Sequence, residues 1–133
     1  MLVPRSLRLA GIPITATVRS LYGPSPSGFD SATFVKEVVQ DHPIVIFSKT
    51  TCGYCSEAKK FLKSHQLPFH AIELNLHDHG ADIQDELRQQ TGQRTVPNIF
   101  VGGAHLGGSS DLLNQYRSGQ LKTKLAAVDL RID

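Results

Sequence analysis

Tryptophan is absent from this 133-residue chain, methionine occurs once, and there are only two cysteines. Two cysteines are too few for the dense disulfide framework of a small secreted domain. No apolar run approaches the roughly 20 residues that span a bilayer, so no membrane partner is indicated. The first 29 positions hold no Asp or Glu, but they do hold Arg5, Arg8 and Arg19. Setting those three aside, the chain's 14 basic residues fall to 11 against 12 acidic ones, so the overall +2 belongs to the leading stretch. A charge that small gives no ground for a nucleic-acid partner.

Residues 1 to about 28 also lack the pattern of a folded segment. Pro4, Pro13, Pro24 and Pro26 interrupt any long helix, and the composition is Arg-rich, hydroxyl-rich and acid-free. This is the composition of an organelle transit peptide, and no compact apolar core follows a basic start as in a secretory signal. The expectation is a mitochondrial transit peptide over residues 1–28, with Tyr22 to Gly28 as a Pro/Ser/Gly linker. A plain disordered tail on a cytoplasmic protein is the alternative. One domain is expected over residues 29–133, a length able to bury a core.

What is present gathers around Thr50-Thr51-Cys52-Gly53-Tyr54-Cys55, directly after the apolar run Ile44-Val45-Ile46-Phe47. Both cysteines lie here, two residues apart, where an expected strand gives way to an expected helix. A Cys-x-x-Cys pair in that setting is a redox motif. Cys52 is expected in the first turn of a helix running to about His65, where unpaired N–H groups and the helix dipole favour an anion. Lys49 adds positive charge three residues upstream, and the thiolate is the nucleophile. Cys55, one turn further in, is placed to attack a mixed disulfide formed on Cys52. Two other readings compete with this one. A zinc site with His65 and His70 has too short a gap between Cys and His, and Pro68 falls between the histidines. A structural disulfide or inert thiol pair fits the strand–helix junction less well than redox chemistry does.

The flanking elements follow from periodicity. A helix capped by Asp30 or Ser31 presents Phe34, Val35, Val38 and Val39 inward and ends at Pro43. Ile44 to Ser48 is an almost wholly apolar strand, as expected when helices cover both faces. In the cysteine helix Ala58, Phe61 and Leu62 face inward, and Lys59, Lys60 and Lys63 outward. Phe69 to Leu74 is a second strand, parallel to the first through a β-α-β crossover. Asn75 to Gly80 is a turn with an exposed His77-x-His79 pair, and a helix over Asp82 to Gln90 ends at Gly92. Strands at Asn98–Val101 and Ala104–Leu106 flank a Gly102-Gly103 hairpin. Gly107-Gly108-Ser109-Ser110-Asp111 opens a helix to about Arg117, its free N–H groups suited to an anion. A last helix runs from Leu121 to about Val128.

Phe47-Ser48-Lys49, Cys52-Gly53-Tyr54-Cys55, Thr95-Val96-Pro97 and Gly107-Gly108-Ser109-Ser110-Asp111 occur together and in this order. With them the chain closely resembles the glutaredoxins over roughly residues 31 to 128. It is most similar to the dithiol class and, with its leader and Gly53, to the mitochondrial members. The resemblance implies an α/β thioredoxin fold, a four-stranded mixed sheet flanked by helices. It implies glutathione as co-substrate, with Cys52 and Cys55 catalytic. Lys49 and Gln84 match the positions that hold the glycine carboxylate of glutathione. Thr95 and Val96, before a cis Pro97, match the edge that pairs with the tripeptide. Ser110 and Asp111 match the site of the γ-glutamyl end, and Tyr54 lies beside the sulfur. The implied partners are glutathionylated and disulfide-containing proteins. Gly53 replaces the proline of many dithiol members. Members with a small residue there resemble proteins that hold a [2Fe–2S] cluster between two monomers, ligated by Cys52 of each and two glutathiones. The implied state is therefore a monomer, or a homodimer when a cluster is bound.

Overall fold

The apolar run at residues 44–47 becomes the central strand of the molecule. A computed structural model describes residues 28–133. The expected leader, and all but the last residue of the linker, lie outside the described residues. By its internal contacts Ala32–Asp133 forms one unit, and it carries the fold. Strand β1 (Ile44–Ser48) is buried at every position. It pairs in parallel with β2 (His70–Glu73), Val45 opposite His70 and Ser48 opposite Glu73. On its other side it runs antiparallel to β3 (Asn98–Val101), Ile44 opposite Val101. Antiparallel β4 (Ala104–Gly107) completes a four-stranded sheet of order β2-β1-β3-β4, with a register shift at Ile99/Phe100. Gly102 and Gly103 turn the hairpin with φ of +61° and +81°. Two positive φ values in succession match the right-handed twist of the strands they join.

Helix α1 (Ser31–Asp41) buries Val35, Val38 and Val39. Helix α2 (Gly53–Ser64) buries Cys55, Ala58 and Leu62. Helix α3 (Gly80–Thr91) closes at Gly92, whose N–H donates to Arg88 O at 2.8 Å. Helices α4 (Ser109–Ser118) and α5 (Gln120–Ala126) follow, separated by Gly119. Strand side chains alternate between faces. Ile44, Ile46, Ile99 and Val101 accordingly join Ala58, Leu62, Leu112, Leu121 and Leu125 in one core cluster. Val45 and Phe47 are equally buried, and the Phe47 ring meets Phe100 edge-on at 5.8 Å. Among the described residues no helix is long and apolar enough to cross a membrane. The mixed sheet with its helices is the thioredoxin fold.

Several boundaries differ from expectation for local reasons. Strand β2 stops at Glu73, and Leu74–Leu76 forms a 3₁₀ turn. There Asn75 leaves the ladder to bond Thr50, accepting from Thr50 N at 3.0 Å and donating to Thr50 Oγ1 at 2.6 Å. Helix α3 begins two residues early, at Gly80, where an added Cβ would lie 1.9 Å from Leu74 O. Lys59 does not face outward with Lys60 and Lys63. Its Nζ meets Glu73 Oε2 at 2.5 Å, with both side chains about a fifth exposed. Helix α5 ends before Val128, and the chain turns back to bury Ile132 in the core cluster. His77 and His79 are half-buried rather than exposed, and His77 Nδ1 accepts from His79 N at 3.0 Å.

Candidate active site

The loop between β1 and α2 turns by a hydrogen bond from Cys52 N to Lys49 O at 3.0 Å. Cys52 is the N-cap residue of α2, not a member of its first turn, with extended backbone (φ −95°, ψ 122°). N-cap residues have such non-helical angles because their side chain folds back over the helix start. Here the sulfur serves as the cap: Cys52 Sγ accepts from Cys55 N at 3.3 Å. It thus occupies the place that anions take at helix starts. The same thiol lies 3.8 Å from Val96 O, which accepts from it.

The two cysteines, both free, differ in environment. Cys52 is half-buried and Cys55 has no exposed surface. Burial, and after it the hydrogen bond with Cys52, pushes the Cys55 thiol up to about 12. A buried neutral thiol beside an accessible sulfur is a division of labour already present in the reduced protein, with Cys52 able to meet a substrate and Cys55 held in reserve.

Across from the cysteines, the loop before β3 carries a cis Val96–Pro97 peptide. A groove of about 480 Å³ opens here, lined by Tyr54, Thr95, Val96, Pro97, Ser110 and Asp111, with Gln93, Gly108 and Ser109. Six of the residues expected from sequence therefore share one wall system. Tyr54, 68% exposed, forms its rim beside Cys55 in sequence. The far end is the start of α4, where Gly108 N donates to Asp111 Oδ2 at 2.9 Å. Gly107 makes that approach possible. Its φ is +126°, and an added Cβ would fall 2.2 Å from Asp111 Oδ2. Asp111 is thus a helix cap as well as a groove carboxylate.

Lys49 and Gln84 do not line this groove. Lys49 is half-buried in the cysteine loop. Gln84, only 8% exposed on α3, donates through Nε2 to Arg94 O at 2.8 Å, bracing the backbone just ahead of Thr95. Gly108 and Ser109 belong to the Gly107–Asp111 motif that the sequence marks as a helix start suited to an anion, whereas Gln93 is not singled out by the sequence. Among the described residues no group of three or more His, Cys, Asp or Glu is arranged to hold a metal ion. His65 instead packs on Phe61 and Tyr116, and His70 stacks on His42 at 4.1 Å.

Comparison with known proteins agrees with this geometry. Residues 44–106 match the glutaredoxin family profile. Glutaredoxin-C8 of Oryza sativa subsp. japonica is 44% identical over 115 residues, which cover 84% of this chain and 83% of that one. Mouse (Mus musculus) mitochondrial glutaredoxin-2 is 41% identical over 87 residues, covering 65% and 56%. The structure of a buckwheat glutaredoxin–glutathione complex superposes with a TM-score of 0.70 at 38% identity, covering 78% of this chain and 96% of that one. With a half-exposed sulfur capping the helix, a buried partner thiol and a groove ending at a cis-proline edge, the chain belongs to the glutaredoxin family of thiol–disulfide oxidoreductases.

Proposed function

We propose that this protein reduces protein–glutathione mixed disulfides and protein disulfides, with glutathione as the electron donor. The observation that carries this reading is the continuity of the groove with Cys52 through Val96, whose carbonyl lies 3.8 Å from the sulfur. Glutathione lies along Thr95 and Val96 with its γ-glutamyl end at Ser110 and Asp111. Its glycine carboxylate turns toward Lys49 and the end of α3 that bears Gln84. Tyr54 covers the sulfur.

The exchange is a pair of displacements at sulfur. Cys52 thiolate attacks the glutathione sulfur of a mixed disulfide, the sulfur–sulfur bond breaks, and the protein leaves as a thiolate that is then protonated. A second glutathione thiolate then attacks the glutathione sulfur on Cys52. Glutathione disulfide departs and Cys52 thiolate returns, so the substrate gains two electrons and two glutathiones lose them. With a protein disulfide, Cys52 thiolate first displaces one substrate thiolate and forms a mixed disulfide. Cys55 as thiolate then attacks the Cys52 sulfur and expels the second substrate thiolate. Two glutathiones reduce the Cys52–Cys55 disulfide that results, leaving as glutathione disulfide. That dithiol route calls on the buried residue; the first does not. The acid-free leader supports a mitochondrial location.

Separate Cys52→Ser and Cys55→Ser variants test the assignment. Cys52→Ser abolishes both reactions, whereas Cys55→Ser retains deglutathionylation and loses turnover of protein disulfides. Equal loss of deglutathionylation in both variants would overturn the monothiol route.

A second reading is favoured by one observation: among the described residues nothing lies within 4 Å of where a Gly53 side chain would begin, so on their surface the space beside Cys52 is open to another molecule. A [2Fe–2S] cluster needs four thiolate ligands. Cys52 from each of two copies and two groove-bound glutathiones would supply them, with Cys55 buried out of reach. When bound, such a cluster would serve electron transfer or iron–sulfur carriage, and it would occupy the thiolate that the enzyme needs.

A further inference from the structure

Gln93 lines the groove, yet it has no part in the displacement chemistry. Its main chain is fixed first. Gln93 N donates to Thr91 Oγ1 at 3.0 Å, and Gln93 O accepts from Asn98 Nδ2 at 3.3 Å. Asn98 is itself wholly buried at the start of β3. With its backbone pinned, the side chain reaches across the cis-proline loop. Nε2 donates to Thr95 O at 3.1 Å and to Pro97 O at 2.9 Å. Both partners are carbonyl oxygens, so the orientation of the amide is dictated: turned over, Oε1 would face two acceptors. One NH₂ group therefore grips the chain on either side of Val96. The Val96 carbonyl lies outside this grip and faces Cys52 Sγ.

We propose that Gln93 is a positioning residue for the glutathione groove, clamping Thr95 and Pro97 so that the peptide groups of Val96 are held ready beside Cys52. The proposal rests on the reading of Thr95–Val96 as the edge that pairs with the tripeptide. An edge ordered before the ligand arrives spares the complex the cost of ordering it on binding. Gln93 touches no reacting atom, so its loss weakens binding and leaves the intrinsic reactivity of Cys52 in place. Methionine at this position keeps the length and removes both donors. Glutamate keeps the shape but turns acceptors toward two carbonyls.

The test uses the ¹⁵N-labelled, reduced full-length chain titrated with S-methylglutathione, whose sulfur cannot exchange. In the wild type the Val96 amide resonance shifts and saturates. Gln93→Met and Gln93→Glu each raise the dissociation constant about tenfold. Alkylation of Cys52 by iodoacetamide, a reagent that needs no groove, keeps its wild-type rate in both. An unchanged constant in Gln93→Met overturns the proposal, and a loss confined to Gln93→Glu does the same by assigning the effect to charge. Slower alkylation in both variants would replace positioning with general damage. A wild type that binds the analogue without moving Val96 removes the edge reading itself, a different failure from that of the clamp.

Discussion

Cys52 and Cys55 stand two residues apart in the sequence, but the fold leaves the first half-buried and the second with no exposed surface. The Cys55 thiol is raised from an ordinary value of 9.0 to about 12, first by burial. A raised pKa in the folded state means that the unfolded chain releases this proton sooner, at lower pH. The resulting contribution to stability is complete below pH 9 and is lost as pH rises toward 12. Denaturant melts of the reduced protein over pH 8–11 should show this decline, and Cys55→Ser should flatten it. A slope unchanged in the variant would assign the decline to other groups. Lys49 offers a second test at this scale, because it stands outside the groove lining. If its ammonium swings to the glycine carboxylate, Lys49→Ala removes a charge-assisted hydrogen bond of about 1.5–3 kcal/mol. The Michaelis constant for glutathione then rises about ten- to a hundredfold. An unchanged constant removes Lys49 from the site.

Helix α2 is tied to β2 by more than apolar contact. Glu73 accepts from both Ser48 Oγ and Lys59 Nζ, joining the ends of two parallel strands to the helix behind the cysteines. Burial alone would raise the Glu73 carboxyl, but hydrogen bonds from Lys59 and Ser48 and the lysine charge outweigh it and hold the group below its usual 4.5. Its stabilisation is therefore present above about pH 4.5 and lost as pH falls through the lower folded value. Glu73→Gln should cost about 1.5–3 kcal/mol at pH 7, the range for hydrogen bonds to charged groups. The cost should shrink toward pH 3, measured by urea melts at each pH. A penalty independent of pH would mean that packing, not charge, sets it. Nothing in the local sequence marks this link. Lys59 sits between Lys60 and Ala58 in a lysine-rich stretch, and only the β1/β2 register brings Glu73 beneath it. The strands, the helix order and the cysteine junction were legible because apolar periodicity and Gly/Pro punctuation are local signals. The early start of α3, the 3₁₀ turn and the buried Ile132 were not, because each depends on what a distant segment leaves open. Even so, Val128, Leu130 and Ile132 alternate with charged residues, a short period-two pattern that was there to be read. The same division holds in the site: Thr95-Val96-Pro97 stood out as a motif, whereas Gln93 acts through carbonyls that only the cis-proline loop aligns.

At the scale of the whole molecule, the second reading has two copies meeting at Cys52. Gly53 is the first residue of α2, and among the described residues the space around it is open. Proline is well suited to that helical position, so Gly53→Pro should keep the fold while stiffening and crowding the approach of a second copy. Anaerobic reconstitution with iron, sulfide and glutathione should give a coloured dimer for the wild type. The variant should give a weaker one and stay active in deglutathionylation. A wild type that remains colourless and monomeric with glutathione present leaves the oxidoreductase reading alone.

The capping role of Cys52 gives the catalytic cycle a mechanical side. A sulfur already bonded to another sulfur is a poorer acceptor than a thiolate, so every mixed disulfide loosens the bond that closes the start of α2. The helix end would then fray and re-form once per turnover, and the fraying would come when Cys55 must swing toward Cys52. Amide hydrogen exchange reads this directly. In the Cys55→Ser variant, which holds the mixed disulfide, the backbone N–H at the substituted position should exchange faster when Cys52 is glutathionylated than when it is reduced. Exchange that is equal in the two forms would show the helix start to be indifferent to the state of its cap.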